Sequence, residues 1–321
     1  MKKENIFFIR SFVDGNCQEG QKTDTQACVG SFTQELQLLS DDDFVEVIIS
    51  CFIPDTYKDN GAKEKLYTKL VEVAVGEWWH RIGGTYIVPT KKSGTEDVEL
   101  ILDQKSIVCD AKAFRLGRSQ KAPNVKDFLK LASVRTWMNN LETRYLKQGV
   151  VQEVVGGLVT YSSLHEWGGE SEVYLECSDK DTPVIMLPYE VLGILLKYKD
   201  DYEINELLSF WKYEDHFPGA TKSKADYWMK MDELLMELLS LSEGEYRDLI
   251  SHYRGKIILS VSEFEKLITE EVKENTKSIR GELESYKDME SLMQYCENVI
   301  SDFENKRNIE YLERIKAFRK Y

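Results

Sequence analysis

Asp97, Asp110 and Lys112 are the residues of this chain whose types and spacing best suit chemistry. Val98 to Leu102 and Ile107 to Phe114 are short apolar runs, and the polar stretch Asp103 to Ser106 between them reads as a hairpin turn. Side chains alternate along a strand, so Asp110 and Lys112 leave from one face while Cys109, Ala111 and Ala113 leave from the other. The hairpin returns Asp97, thirteen residues upstream, to the neighbourhood of Asp110. Two carboxylates and a lysine at one point can hold Mg²⁺, a hard cation that takes oxygen ligands and keeps several waters. Against a phosphodiester such an ion polarises a phosphoryl oxygen and lowers the pKa of a bound water. Lys112 would then orient that water or offset the charge that builds in the transition state, and the residues leave both roles open. Charges inside an apolar strand are costly unless paired or functional, which separates this pair from ordinary surface Asp-x-Lys pairs. An edge strand carrying an ion pair is the structural alternative. Glu96 and Glu99 are alternative second acids, because strand starts shift by a few residues.

The residues that follow suit a phosphate-rich partner. Ala111 to Lys147 holds nine basic and two acidic residues, a local charge of +7. Arg115, Arg118 and Lys121 fall in a loop with Gly117 and Pro123, beside the proposed site, and Lys126 follows. Phosphate contacts dominate DNA affinity, and arginine also reads guanine bidentately. The exposed face of an ordinary helix is the alternative reading, and it fits Lys126 and Lys130 better than the loop cluster. The rest of the chain is acidic: −7 over residues 1–110, −10 over 148–218 and −4 over 219–321. The total of −14 excludes a generally basic protein that coats nucleic acid or anionic membrane. It leaves room for a basic cleft in an acidic body.

These residues need a scaffold of sheet and helices. Ala62 to His80 carries Leu66, Leu70, Val73 and Ala74 at helical spacing and stops at Gly83-Gly84. Ser31-x-x-Gln34 and Ser40 before Asp41 to Asp43 read as helix starts. Val150 to Tyr161, Val173 to Cys177 and Val184 to Leu187 read as further strands, with a helix over Val125 to Tyr145 before them. All six prolines lie within the first 218 residues, and the remainder reads as helices. Among these, Asp226 to Leu241 is one, Ser262-x-x-Glu265 is a capping box before another, and a charged segment runs from Thr276 onward. The pattern predicts a mixed central sheet flanked by helices, with a helical C-terminal region. Its parts are an N-terminal helical region over 1–60, a core over 61–200 and a mostly helical region over 201–321 packed on the core as one globular unit.

Composition removes other classes. The hydrophobic share of 42% fills a core and excludes global disorder. No run approaches the length of a membrane span, and no signal peptide is read at the start. The six cysteines are dispersed and form no CxxC pair, which predicts free thiols in a reducing compartment, the cytoplasm. The four histidines lie far apart and offer no zinc spacing.

Asp97-Val98, followed by Val108-Cys109-Asp110-Ala111-Lys112-Ala113-Phe114-Arg115-Leu116-Gly117-Arg118, resembles the core of HindIII-type type II restriction endonucleases, members of the PD-(D/E)XK nucleases. The signature there is an acid, then a strand with Asp-Ala-Lys, then Ser/Ala-Phe-Arg-Leu-x-Arg. Glu64 to Lys69 resembles the family's Glu-Lys-Leu-Phe-Ser-Lys helix, Asn124 to Phe128 its Lys-Asp-Phe element, and Tyr189 to Leu196 its Trp-Glu-x-Leu-Ala-Ile-Leu-Leu helix. The likeness covers most of the chain, loosely outside residues 94–118. It departs at Glu96, where the motif has proline, and over Leu164 to Glu172.

The resemblance implies a PD-(D/E)XK fold and Mg²⁺-dependent cleavage of double-stranded DNA at a short specific sequence, leaving 5′-phosphate and 3′-hydroxyl ends. It implies Asp97 and Asp110 as metal-binding acids, the Ala111 carbonyl as a further ligand, Lys112 as the catalytic lysine and Glu64 as a helix glutamate assisting the metal site. It also implies a homodimer on a palindrome, with a partner DNA methyltransferase protecting the cell's own DNA. Two other readings stay open: a repair or junction nuclease of the same fold, and a non-enzymatic acidic helical interaction protein.

Overall fold

The computed structural model describes residues 1–17, 23–89, 95–115, 131–162, 177, 183–212, 216–217 and 223–318. They fall into two compact units, Met1–Glu263 and Phe264–Tyr321. The first is built on a five-stranded mixed sheet of β2 (Thr85–Ile87), β3 (Val98–Leu102), β4 (Lys105–Ala111), β6 (Glu153–Tyr161) and β7 (Val184–Pro188), in the order β2-β3-β4-β6-β7. A separate parallel pair joins β1 (Phe52–Ile53) to β5 (Phe114–Arg115).

Connection length decides strand direction. A tight turn joins β3 to β4, which are antiparallel, with Val98 opposite Cys109. The turn is shorter than the four residues expected: Lys105 and Ser106 already belong to β4, leaving Asp103-Gln104. Asp103 takes the left-handed conformation there, at φ 53°, which a short polar side chain tolerates. From β4 to β6 the chain crosses over through a helix, and the two strands are parallel. β4 is therefore central and buried from Ser106 to Ala111. The run expected to continue to Phe114 stops at Ala111, and Phe114-Arg115 pairs with Phe52-Ile53 instead.

Eleven helices carry labels among the described residues: α1 (Lys3–Ile6), α2 (Phe8–Asn16), α3 (Thr25–Gln37), α4 (Asp41–Ile48), α5 (Gly61–Arg81), α6 (Leu131–Gln148), α7 (Tyr189–Lys197), α8 (Ile204–Leu207), α9 (Lys224–Leu238), α10 (Glu243–Glu284) and α11 (Met289–Phe318). The expected cap at Ser40 forms, its hydroxyl accepting from the Asp43 amide at 3.2 Å. Two expected starts are corrected. Ser31 lies inside α3, which is capped upstream by Asp24. Ser262 lies inside α10, whose capping box is Ser242 with Glu245, an identical Ser-x-x-Glu spacing twenty residues earlier. α5 buries the predicted Leu66, Leu70, Val73 and Ala74, and also Trp78 and Trp79. Gly83 ends that run at φ 110°, where a side chain would be strained.

Trp78 and Trp79 tie α5 to its neighbours. The Trp79 indole donates to the Ile101 carbonyl of β3 at 3.0 Å, and Trp78 to the Leu192 carbonyl of α7 at 2.8 Å. On β6 the glycine pair admits close packing. A Cβ on Gly157 would lie 2.6 Å from Val134 of α6, and one on Gly156 would lie 2.5 Å from the Pro183 carbonyl and against the Trp211 ring. The expected strand over 173–177 lies outside the described residues except for Cys177. No helix among the described residues is long and apolar enough to cross a membrane.

Candidate active site

Val98 pairs with Cys109, so the next step outward sets Asp97 opposite Asp110 at the open end of the hairpin. The two carboxyls are in contact, and Asp97 Oδ2 also accepts from the Ala111 amide at 3.3 Å. Burial first, then the adjacent Asp110 charge, pushes Asp97 far above the usual carboxylate range, up to about 8. Asp110 is completely buried. Its Oδ1 meets Lys112 Nζ at 2.6 Å, and that lysine side chain keeps 21% of its surface exposed. The arrangement is two acids side by side, one lysine, and a route to solvent through the lysine.

Lys112 lies one residue beyond β4, with its amide donating to the Thr160 carbonyl at 2.9 Å. Three residues further, Arg115 turns back onto α5. Its guanidinium meets Glu64 at 2.6 Å and the Asp55 carbonyl at 3.3 Å. Glu64 and Arg115, expected at the metal and on DNA respectively, are thus partners of each other. Arg118, Lys121 and Lys126 lie outside the described residues.

Sequence reasoning missed Lys69 and Glu72 of α5. Both are buried and paired with each other, and Lys69 also donates to the Pro89 carbonyl at 3.1 Å. The Lys69 charge draws the Asp97 pKa down, against the larger effects of burial and Asp110. The signal was present: two opposite charges stand among Leu66, Leu70 and Val73 on the buried part of the helix.

Glu96 and Glu99, the alternative second acids, face a different partner. Both accept from Arg144 Nη2 of α6 at 2.7 Å, and Glu99 also takes hydrogen bonds from Ser106 and Tyr145. Burial raises the Glu99 pKa against the pull of Arg144. Replacing Arg144 by methionine would strand two carboxylates that are 1% and 2% exposed. We expect a loss of about 2–4 kcal/mol, at the lower end because Arg144 is itself partly exposed. Urea unfolding of Arg144→Met beside the wild type measures this, and equal midpoints would contradict it.

Among the described residues no three His, Cys, Asp or Glu side chains converge as a metal site. The pair Asp97 and Asp110 nonetheless fits Mg²⁺, which binds through one or two carboxylates and retains waters. A buried acid in contact with a half-buried one that is driven towards its protonated form is what a cation would relieve.

The family model described as HindIII restriction endonuclease matches residues 16–278 of the chain. Among solved structures, the small subunit of a heterodimeric restriction endonuclease is similar at 14% identity, covering 64% of this chain and 96% of that one, with a TM-score of 0.27. No curated protein matches.

Proposed function

The chain belongs to the HindIII restriction endonuclease family, and from that premise we propose a Mg²⁺-dependent type II enzyme that cuts double-stranded DNA at a short specific sequence. The products carry 5′-phosphate and 3′-hydroxyl ends. The observation that supports the site is the contact of Asp110 with both Asp97 and Lys112, where β3 begins and β4 ends.

Asp97, Asp110 and the Ala111 carbonyl hold the metal. When bound, Mg²⁺ polarises the scissile phosphate and lowers the pKa of a coordinated water. Asp110 is fixed by burial at the centre of the sheet, so its carboxylate needs no reorganisation during the reaction. Lys112 presents a positive charge beside it, suited to orienting water or to offsetting charge on the phosphate. Glu64 acts at one remove, holding Arg115 near the end of this segment. Arg118, Lys121 and Lys126 supply phosphate contacts, beside Arg115, whose guanidinium is held by Glu64. The enzyme acts in the cytoplasm as a homodimer whose two-fold matches a palindromic site, and a companion methyltransferase protects host DNA.

Plasmid DNA incubated with the protein and Mg²⁺ tests the reading. Discrete fragments with one common end sequence are expected, and chelation with EDTA should stop the cutting. Cleavage at DNA junctions regardless of sequence would favour a repair nuclease. Intact DNA at every protein concentration would refute an enzymatic role.

A further inference from the structure

Lys112 sits where the pairing of β4 with β6 has just ended, yet its peptide is held on both sides. Its N–H donates to the Thr160 carbonyl at 2.9 Å. Its carbonyl accepts from the Tyr189 hydroxyl at 2.7 Å. Tyr189 is completely buried and opens α7 directly after β7, the last strand in the sheet order. The hydroxyl therefore links an element two strands away to the peptide of the lysine. Phenylalanine would fill the same space with no buried hydroxyl to satisfy, so tyrosine here has a use beyond packing.

We propose that Tyr189 is a positioning residue: its hydroxyl fixes the peptide of Lys112 and so aims Nζ at the Asp110 carboxylate and the phosphate bound beside it. The inference rests on the assignment of Lys112 to the reaction. Lysine has a long flexible stem, so the placement of Nζ depends on how firmly its backbone is held. A misplacement of about 1 Å at a reacting group can cost on the order of a hundred-fold in rate. Tyr202 is a matched control, since its buried hydroxyl also donates to a carbonyl, that of Leu195 at 3.1 Å.

The test uses supercoiled plasmid DNA, Mg²⁺ and enzyme in excess, so that one turnover is followed. Tyr189→Phe should cut about ten-fold more slowly, the order expected for one lost positioning hydrogen bond, with DNA binding in Ca²⁺ unchanged. Tyr202→Phe should lose similar thermal stability yet cut at the wild-type rate. Added to Lys112→Ala, which is itself slowed, Tyr189→Phe should change the rate by less than about two-fold. The proposal is overturned if Tyr189→Phe cuts normally while Lys112→Ala is slowed, or if Tyr202→Phe is slowed as much. Normal cutting by Lys112→Ala would instead remove the premise, and the inference with it.

Discussion

Asp110→Asn is expected to reduce DNA cleavage by at least about a thousand-fold, or ~4 kcal/mol of transition-state stabilisation, without loosening the fold. Asp110 is completely buried. Its charge is tolerated because Lys112 lies 2.6 Å away. Asparagine keeps the shape and removes the buried charge, so a metal loses a ligand while the residue at 110 no longer carries a charge that must be buried. The melting temperature should therefore hold or rise, which separates this result from loss through unfolding. Plasmid cleavage at saturating Mg²⁺, read beside a thermal melt, measures both. Undiminished cutting by the variant would sink the assignment of the site.

The second large effect is a link between pH, metal and stability. Asp97 is pushed up to about 8 in the folded chain, against roughly 3.9 for an unperturbed aspartate. The folded state thus binds more protons than the unfolded state between about pH 4 and pH 8. Stability falls as pH rises through that window and is level above it, by an amount on the order of a few kcal/mol. A divalent cation takes the place of the proton, so stabilisation by Mg²⁺ should grow with pH. In EDTA the wild type should melt several degrees lower at about pH 8.5 than at about pH 5.5. Mg²⁺ should restore the difference at the higher pH and do little at the lower. Asp97→Asn should be more stable than the wild type without metal at high pH and should respond weakly to Mg²⁺. An equal Mg²⁺ shift at both pH values in the wild type would contradict the argument. Because other groups also titrate, the difference between wild type and Asp97→Asn is the quantity to compare.

The hairpin that carries Asp97 and Asp110 was legible because its determinants are local. Alternation, a polar turn and β-rich runs define two strands and which residues stand opposite each other. The helix α5 was legible for the same reason, since its apolar spacing and terminal glycines lie within one segment. Errors arose where one motif fits two places. Ser-x-x-Glu occurs at both 242 and 262, and only the first lies where the chain before it leaves the helix. Turn length was overread because Lys105 and Ser106 look polar, although in β4 Ser106 is buried against Glu99 and Tyr145.

What the sequence by itself determined is the set of short-range facts: two acids and a lysine meeting on a hairpin, a basic stretch after them, an acidic remainder and a proline-free helical end. What only the tertiary structure decided is which distant groups share that neighbourhood. Arg115 reads as a free cation in the chain, and folding gives it Glu64, 51 positions away. Arg144 reads as part of a basic run, and folding spends it on Glu96 and Glu99, 48 and 45 positions away. Tyr189 reads as the start of an apolar helix, and folding brings its hydroxyl to Lys112 across 77 positions. The physical reason is the same in each case. Local conformation follows from neighbours along the chain, whereas the partner of a buried charge or hydroxyl is set by how the sheet and its helices close around a common core.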